Sequence, residues 1–211
     1  MTKQEIAHEA VRLLKERYPD AICSLVYDKP YELMIAVRLS AQCTDARVNI
    51  VTKELFAKYP TLESFAGADL AELEAAVKPC GYYRSKAQNI RDAAQVLLTQ
   101  YGGRIPDTME ELLKIPGIGR KTANLLLGDL YGKPAVVADT HFIRITGRLG
   151  LTAYTDPVKV ERDLRPLLPP EESSDFCHRI VLFGREICDA RKPKCAECPL
   201  AGFCPGKLTA T

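Results

Sequence analysis

Apolar residues recur at helical spacing along nearly the whole chain. Thr2 and Glu5 form a capping-box pair ahead of a first helix whose Ile6, Ala10, Leu13 and Leu14 share one face. Pro30 opens a second helix, with Leu33, Val37 and Ala41 in register, and Asp45 is the expected cap of a third that turns Val48, Val51, Leu55 and Phe56 inward. Helices are predicted over 69–77 and 85–101, separated by Pro79 and Gly81, and over 107–114, where Pro116 stops the run. Further helices follow over 120–131, after Asp139, and over 156–165 and 173–187, before a cysteine-rich tail. Only residues 135–138 read as extended, too few to build a sheet. With no internal repeat and no low-complexity linker, the predicted class is all-α.

Composition bounds this picture. The chain has 211 residues, 46% hydrophobic and 27% charged, which excludes wholesale disorder and collagen-like repeats. Its length allows one large domain or two small ones. No apolar run is long enough to span a membrane, and the N-terminus lacks the apolar core of a signal peptide, so a cytoplasmic protein is expected. The formal net charge of +2 is too balanced to announce a polyanionic partner.

The eight cysteines change more. Cys23, Cys43, Cys80 and Cys177 are scattered among apolar or small residues and read as small buried hydrophobes. Cys188, Cys195, Cys198 and Cys204 instead form one C-x6-C-x2-C-x5-C stretch. In a reducing compartment four thiols so close together form a metal nest rather than a disulfide framework. The single C-x2-C pair with two outlying cysteines favours an iron–sulfur cluster, while leaving zinc open. Pro193 and Pro199 stiffen this loop and Gly202 lets it turn back.

A second constellation lies at 112–123, Leu-Leu-Lys-Ile-Pro-Gly-Ile-Gly-Arg-Lys-Thr-Ala. A helix ends at Pro116, Gly117-Ile118-Gly119 turns tightly, and a new helix starts on Arg120 and Lys121. Gly117 and Gly119 can adopt positive φ and bring backbone N–H groups close to a ligand. With the following helix N-terminus they suit a phosphate. Between residues 112 and 150, Lys114, Arg120, Lys121, Lys133, Arg144 and Arg148 face only Asp129 and Asp139. That local basic excess turns a tight helix–helix turn into a helix-hairpin-helix that binds a nucleic-acid backbone.

These segments, with Leu-Ser-Ala-Gln-Cys-Thr-Asp at 39–45 and Ala-Asp-Thr-His at 138–141, closely resemble endonuclease III, the helix-hairpin-helix DNA glycosylase/AP lyase family of base excision repair. The resemblance covers nearly the whole chain. It implies a bifunctional enzyme that removes oxidised pyrimidines from duplex DNA and cleaves 3′ to the abasic site by β-elimination. It also implies one [4Fe-4S] cluster on Cys188, Cys195, Cys198 and Cys204, and a monomer working at the bacterial nucleoid.

Lys121 matches the family's amine nucleophile, in a first turn where the helix N-terminus and Arg120 disfavour its charged form. Asp139 matches the catalytic aspartate; from its own sequence it reads equally as an N-cap, and both can hold at once. Gln42 matches a residue inserted into the space that an extruded base leaves, while on its own it reads as a polar residue at a helix end. Tyr82 falls where relatives often place an aliphatic wedge; its alternative is a half-buried core tyrosine. Pro116, Gly117, Ile118, Gly119 and Arg120 are the implied hairpin contacts to the DNA backbone, and Arg191, Lys192 and Lys194 the implied contacts beside the cysteine loop, with a solvated face as their alternative. His141 keeps the family pattern and is read as structural.

Two helical lobes are implied. One is a six-helix barrel over 23–133 containing the hairpin; the other is a cluster domain made of 1–22 plus 134–211. DNA would lie across the groove between them, with Lys121 and Asp139 facing one another. An adenine-mismatch glycosylase is disfavoured by Lys121, by Val37 at the expected glutamate position and by the end of the chain soon after Cys204. A non-catalytic DNA-binding module and a zinc-binding adaptor are the alternatives from other classes.

Overall fold

The computed structural model describes residues 1–206; residues 207–211 of the expected cluster segment lie outside the described residues. Eleven α-helices and three short 3-10 turns appear among the described residues, with no strand. None of these helices is long and apolar enough to cross a membrane. The chain divides into two compact units, Cys23–Leu126 and Met1–Ile22 together with the chain from Leu127 onward. This division falls inside one helix, whereas the sequence suggests a boundary at 133–134, in the loop that follows.

In the unit Cys23–Leu126, α2 (Pro30–Ser40) starts on a proline at its first position. Its buried Glu32 accepts the N–H groups of Asp28 and Lys29 at 2.8 and 3.1 Å. Helix α3 (Asp45–Lys58) is capped by Thr44, whose hydroxyl accepts from Arg47 N–H, and not by Asp45 as expected. The Asp45 carboxylate instead accepts from Ser24 Oγ at 2.6 Å. A five-residue helix, α4 (Leu62–Ala66), escapes the periodicity because it is barely more than one turn; it carries the fully buried Phe65. Tyr31, Phe56 and Tyr59 gather around that ring.

Helices α5 (Leu70–Val77) and α4 both pack against α6 (Tyr83–Tyr101), whose inward stripe is Lys86, Ala87, Ile90, Ala93, Ala94 and Leu97. Helix α7 (Met109–Leu112) leads through the hairpin into α8 (Arg120–Tyr131). Cys80 is buried as expected, but Cys23 and Cys43 are only partly so.

In the other unit, α1 (Lys3–Arg17) carries the expected Thr2–Glu5 capping box. Its inward face is Ala7, Ala10, Val11 and Leu14; Ile6 and Leu13 sit at the rim. It packs on α11 (Ser173–Glu186), tied by Arg17 to Glu186 at 2.5 Å and by Lys15 to Glu172. Helix α9 (Thr140–Arg148) lies against α11, with Phe142 edge-on to Phe176. Gly184 allows that approach: a Cβ there would stand 2.4 Å from His141 Nδ1. Helix α10 (Pro157–Leu164) is capped by Asp156.

The extended segment 135–138 pairs with no strand. Its amides bond to α11 side chains, Ala135 N–H to Ser173 Oγ at 3.1 Å and Val137 N–H to Cys177 Sγ at 3.2 Å. Cys177 is therefore more than a small hydrophobe: it accepts an amide, and burial pushes its thiol up to about 12.

Candidate active site and metal centre

The hairpin is built by a chain of local bonds. Thr108 Oγ1 accepts from Glu111 N–H to cap α7, and Lys114, Ile115 and Ile118 N–H groups close successive turns on Glu111, Leu112 and Ile115 carbonyls. Ile115 and Ile118 side chains plug into the core, so Ile118 offers DNA no side chain and its N–H is already used. Gly117 and Gly119 form the exposed edge.

Only Gly117 takes positive φ, at +78°; a Cβ there would lie 2.9 Å from Asn89 Cβ and 3.3 Å from Arg38 Nε. Gly119 faces open space, so its lack of a side chain keeps the surface clear instead of permitting a turn. Pro116 is half-buried, Arg120 half-buried, and Lys121 exposed in the first turn of α8.

Alanine at Gly117 would have to hold a left-handed backbone and push against Asn89, a cost of about 1–3 kcal/mol. A Gly117→Ala variant is therefore expected to bind duplex DNA roughly tenfold more weakly, with a shallower salt dependence. Fluorescence anisotropy over a salt series checks this; an unchanged Kd at every salt would contradict it.

Gln42 and Tyr82 are exposed, and they are the only non-glycine residues with positive φ among the described residues, at +55° and +49°. Gln42 occupies the third position of a turn closed by Cys43 N–H to Ser40 C=O at 3.0 Å, after Ala41 at φ −58°, ψ 112°. That is type II geometry, where glycine is the preferred occupant. Tyr82 follows the left-handed Gly81 and is 67% exposed, so it is not a core tyrosine. Val37 is buried in α2.

In the other unit, Asp139 caps α9: its Oδ1 accepts Phe142 N–H at 2.7 Å, and its own N–H bonds to Val137 C=O at 2.9 Å. The carboxylate is thus held at a helix N-terminus while remaining half-exposed. His141 touches Arg144 Nη2 through Nδ1 at 3.2 Å, and burial lowers its pKa, which suits a neutral structural imidazole.

The other end of α9 meets the cysteine loop. Arg148 Nη1 donates to Cys188 Sγ at 3.2 Å and to Asp189 C=O at 2.7 Å, and Nη2 donates to Ala190 C=O at 2.8 Å. Arg144 Nη2 donates to Cys188 C=O at 3.0 Å, and Gly206 N–H returns to Arg148 C=O at 3.0 Å. Asp189 Oδ1 accepts Arg191 and Lys192 N–H groups at 2.8 and 3.0 Å, folding the loop start. The Arg191, Lys192 and Lys194 side chains are exposed along it.

The local charge excess read from sequence is therefore smaller than it looks. Lys114 is paired with Glu110 and Glu111, and Arg144 and Arg148 serve the loop. The sequence signal for that clamp is only two arginines four positions apart on one helix, a spacing that reads equally as two DNA contacts.

Cys188, Cys195, Cys198 and Cys204 line one cavity with Ile187, Pro193 and Ala201. Among the described residues no His, Cys, Asp or Glu trio converges on a single metal ion. Four thiols gathered around one cavity in a C-x6-C-x2-C-x5-C loop are the donor set that a cubane iron–sulfur cluster takes. Burial raises the Cys198 and Cys204 thiols and the neighbouring thiols raise them further, while Leu200 and Gly206 N–H groups oppose the rise. Thiolates crowded in this way require a cationic core, and N–H donors to sulfur are already in place. The residues fit an iron–sulfur cluster.

Comparison with known proteins agrees with both sites. Residues 35–170 match the HhH-GPD superfamily of base excision DNA repair proteins, and residues 188–204 match the iron–sulfur binding domain of endonuclease III. Endonuclease III of Synechocystis sp. is 46% identical over 97% of this chain and 94% of its own length; that of Bacillus subtilis is 46% identical over 90% and 87%. A non-covalent endonuclease III–DNA complex superposes with a TM-score of 0.91 at 44% identity, covering 98% of this chain and 96% of that one. A trapped endonuclease III–DNA covalent intermediate gives the same TM-score and identity, covering 98% and 97%.

Proposed function

Because the chain belongs to the endonuclease III family and is a base excision repair DNA glycosylase and AP lyase with a [4Fe-4S] cluster, we propose which residues do the work and on which lesions. The observation that carries the reading is the hairpin: a core-anchored turn with a bare glycine edge hands directly to an exposed lysine.

In this reading, Gly117, Gly119, Pro116 and Arg120 seat a phosphate of the damaged strand beside Lys121. The neutral Lys121 amine attacks C1′, and the N-glycosidic electron pair leaves with the base. The C1′–O4′ bond then opens, O4′ taking up the proton that Asp139 accepted from the amine, and leaves a protonated Schiff base between Nζ and C1′. Its positive nitrogen draws electrons as the C2′ proton is removed, and the C3′–O bond breaks to release the 3′ phosphate. Asp139 supplies a carboxylate that accepts the amine proton and stabilises positive charge on the sugar. Gln42 and Tyr82 enter the stack where the base has left. Arg191, Lys192 and Lys194 contact the DNA backbone beside the cysteine loop.

Cys188, Cys195, Cys198 and Cys204 hold the cluster. When bound, it supplies four iron–thiolate bonds that cross-link a loop too short to fold on its own core. In this reading the protein is of bacterial type, like its Synechocystis sp. and Bacillus subtilis relatives, and works as a monomer on nucleoid DNA in the cytoplasm.

The lesion class is oxidised pyrimidines. A panel of duplexes, each with one oxidised or mismatched base, tests this by base release and by the 3′ unsaturated aldehyde that β-elimination leaves. Oxidised pyrimidines are expected to be cleaved at least ~10²-fold faster than adenine mismatches. Equal or faster removal of mismatched adenine would overturn the assignment.

A further inference from the structure

A single buried ammonium joins the two strained turns. Lys86, in the first turn of α6, is 1% exposed. Its Nζ donates to Leu39 C=O at 2.9 Å, Ala41 C=O at 2.8 Å and Cys80 C=O at 2.8 Å. An ammonium has three donors, and here all three are used. Leu39 and Ala41 are at the C-terminal end of α2, where a cation also meets the negative end of the helix dipole. Cys80 ends the 3-10 turn Lys78–Cys80. Gln42 directly follows Ala41, and Tyr82 follows Cys80 after Gly81.

Packing does not explain this residue. Its neighbours on the inward stripe are Ala87, Ile90, Ala93, Ala94 and Leu97, and a leucine or methionine would continue that stripe without burying a charge. Burial indeed lowers the Lys86 pKa. What the charge achieves is to hold the backbone just before Gln42 and just before Tyr82 to one point. Neither residue is a glycine, so neither backbone conformation is self-sustaining.

We infer that Lys86 is a positioning residue for nucleotide extrusion: its three carbonyl bonds fix the Gln42 and Tyr82 turns relative to one another so that both side chains enter the duplex as a unit. This rests on the reading that Gln42 and Tyr82 enter the duplex.

The test compares Lys86→Met, which removes all three donors, and Lys86→Gln, which keeps an amide, with a Gln42→Ala/Tyr82→Ala variant. Single-turnover β-elimination is measured at an abasic site in duplex DNA and at the same site in a single strand, where no stack has to be opened. Thermal unfolding checks that each variant is folded at the assay temperature, and 2-aminopurine opposite the site reports insertion. Lys86→Met is expected to lose on the order of 10-fold to 100-fold on the duplex and about twofold or less on the single strand. Lys86→Gln should fall between it and the wild type, and the 2-aminopurine signal should drop in parallel. Adding Gln42→Ala/Tyr82→Ala to Lys86→Met should then cost little more.

Duplex-specific loss in Gln42→Ala/Tyr82→Ala, with none in either Lys86 variant, overturns the inference and leaves the insertion reading standing. No duplex-specific loss in Gln42→Ala/Tyr82→Ala overturns the insertion reading and this inference with it. Equal losses on both substrates in the Lys86 variants, or failure of both to fold, make Lys86 merely structural.

Discussion

A Lys121→Gln variant is expected to fold and bind abasic duplex normally while losing β-elimination by on the order of 10³-fold or more. Lys121 is exposed at the start of α8, so its replacement removes no packing; surface changes of this kind stay within about 0.5 kcal/mol. The Gly117 turn and the Ile115 and Ile118 anchors are untouched, so phosphate binding persists. A glutamine amide nitrogen, however, has no available lone pair and forms no Schiff base. Gel quantification of single-turnover cleavage, with anisotropy for affinity, checks both halves. Cleavage at the wild-type rate would remove Lys121 from the chemistry; lost affinity would make it a binding residue.

The second large effect lies at the cluster. Cys198→Ser is expected to lose bound iron and sulfide and to lower stability by roughly 3 kcal/mol, a fall in Tm of about 10 °C. Serine is a harder and less acidic ligand than cysteine, and apart from the buried Leu200 the loop contributes few side chains to the core. Its remaining order comes from short backbone turns, from the Arg148 and Arg144 bonds to the Cys188, Asp189 and Ala190 backbone and from the Asp189 turn. Lyase chemistry in the remaining folded protein should fall far less than stability does, because Lys121 lies outside the loop. Metal analysis, a thermal melt and single-turnover cleavage separate the two. A normally folded variant without iron and with unchanged DNA affinity would contradict this role.

Much of this was legible in the sequence because it is local. The Thr2–Glu5 cap, the Pro116–Gly117 break and the four-cysteine spacing each depend on residues a few positions apart. The misreadings fall where a partner distant in sequence decides a local choice. Thr44 displaces Asp45 as the cap because Asp45 is drawn to Ser24, 21 positions away. Residues 135–138 have strand-like side chains, yet their amides find Ser173 and Cys177 on α11.

What could not be read is long-range. Arg148 reaches the cysteine loop 40 and more positions ahead, and Lys86 reaches Leu39 47 positions back. A lysine in register with Ile90, Ala93 and Leu97 was nonetheless a signal: a charge on an inward stripe must have partners. The left-handed backbones at Gln42 and Tyr82 had no signal, since neither residue type favours that region.

The nucleophile proposed above, Lys121, would carry the covalent bond to the sugar, and that bond can be mapped. Wild-type protein is incubated with abasic duplex, the imine is reduced with borohydride, and the cross-linked peptide is sequenced by mass spectrometry. A stable adduct carried by Lys121 is expected. An adduct on the N-terminal amine or on another lysine, or no adduct at all, would contradict it.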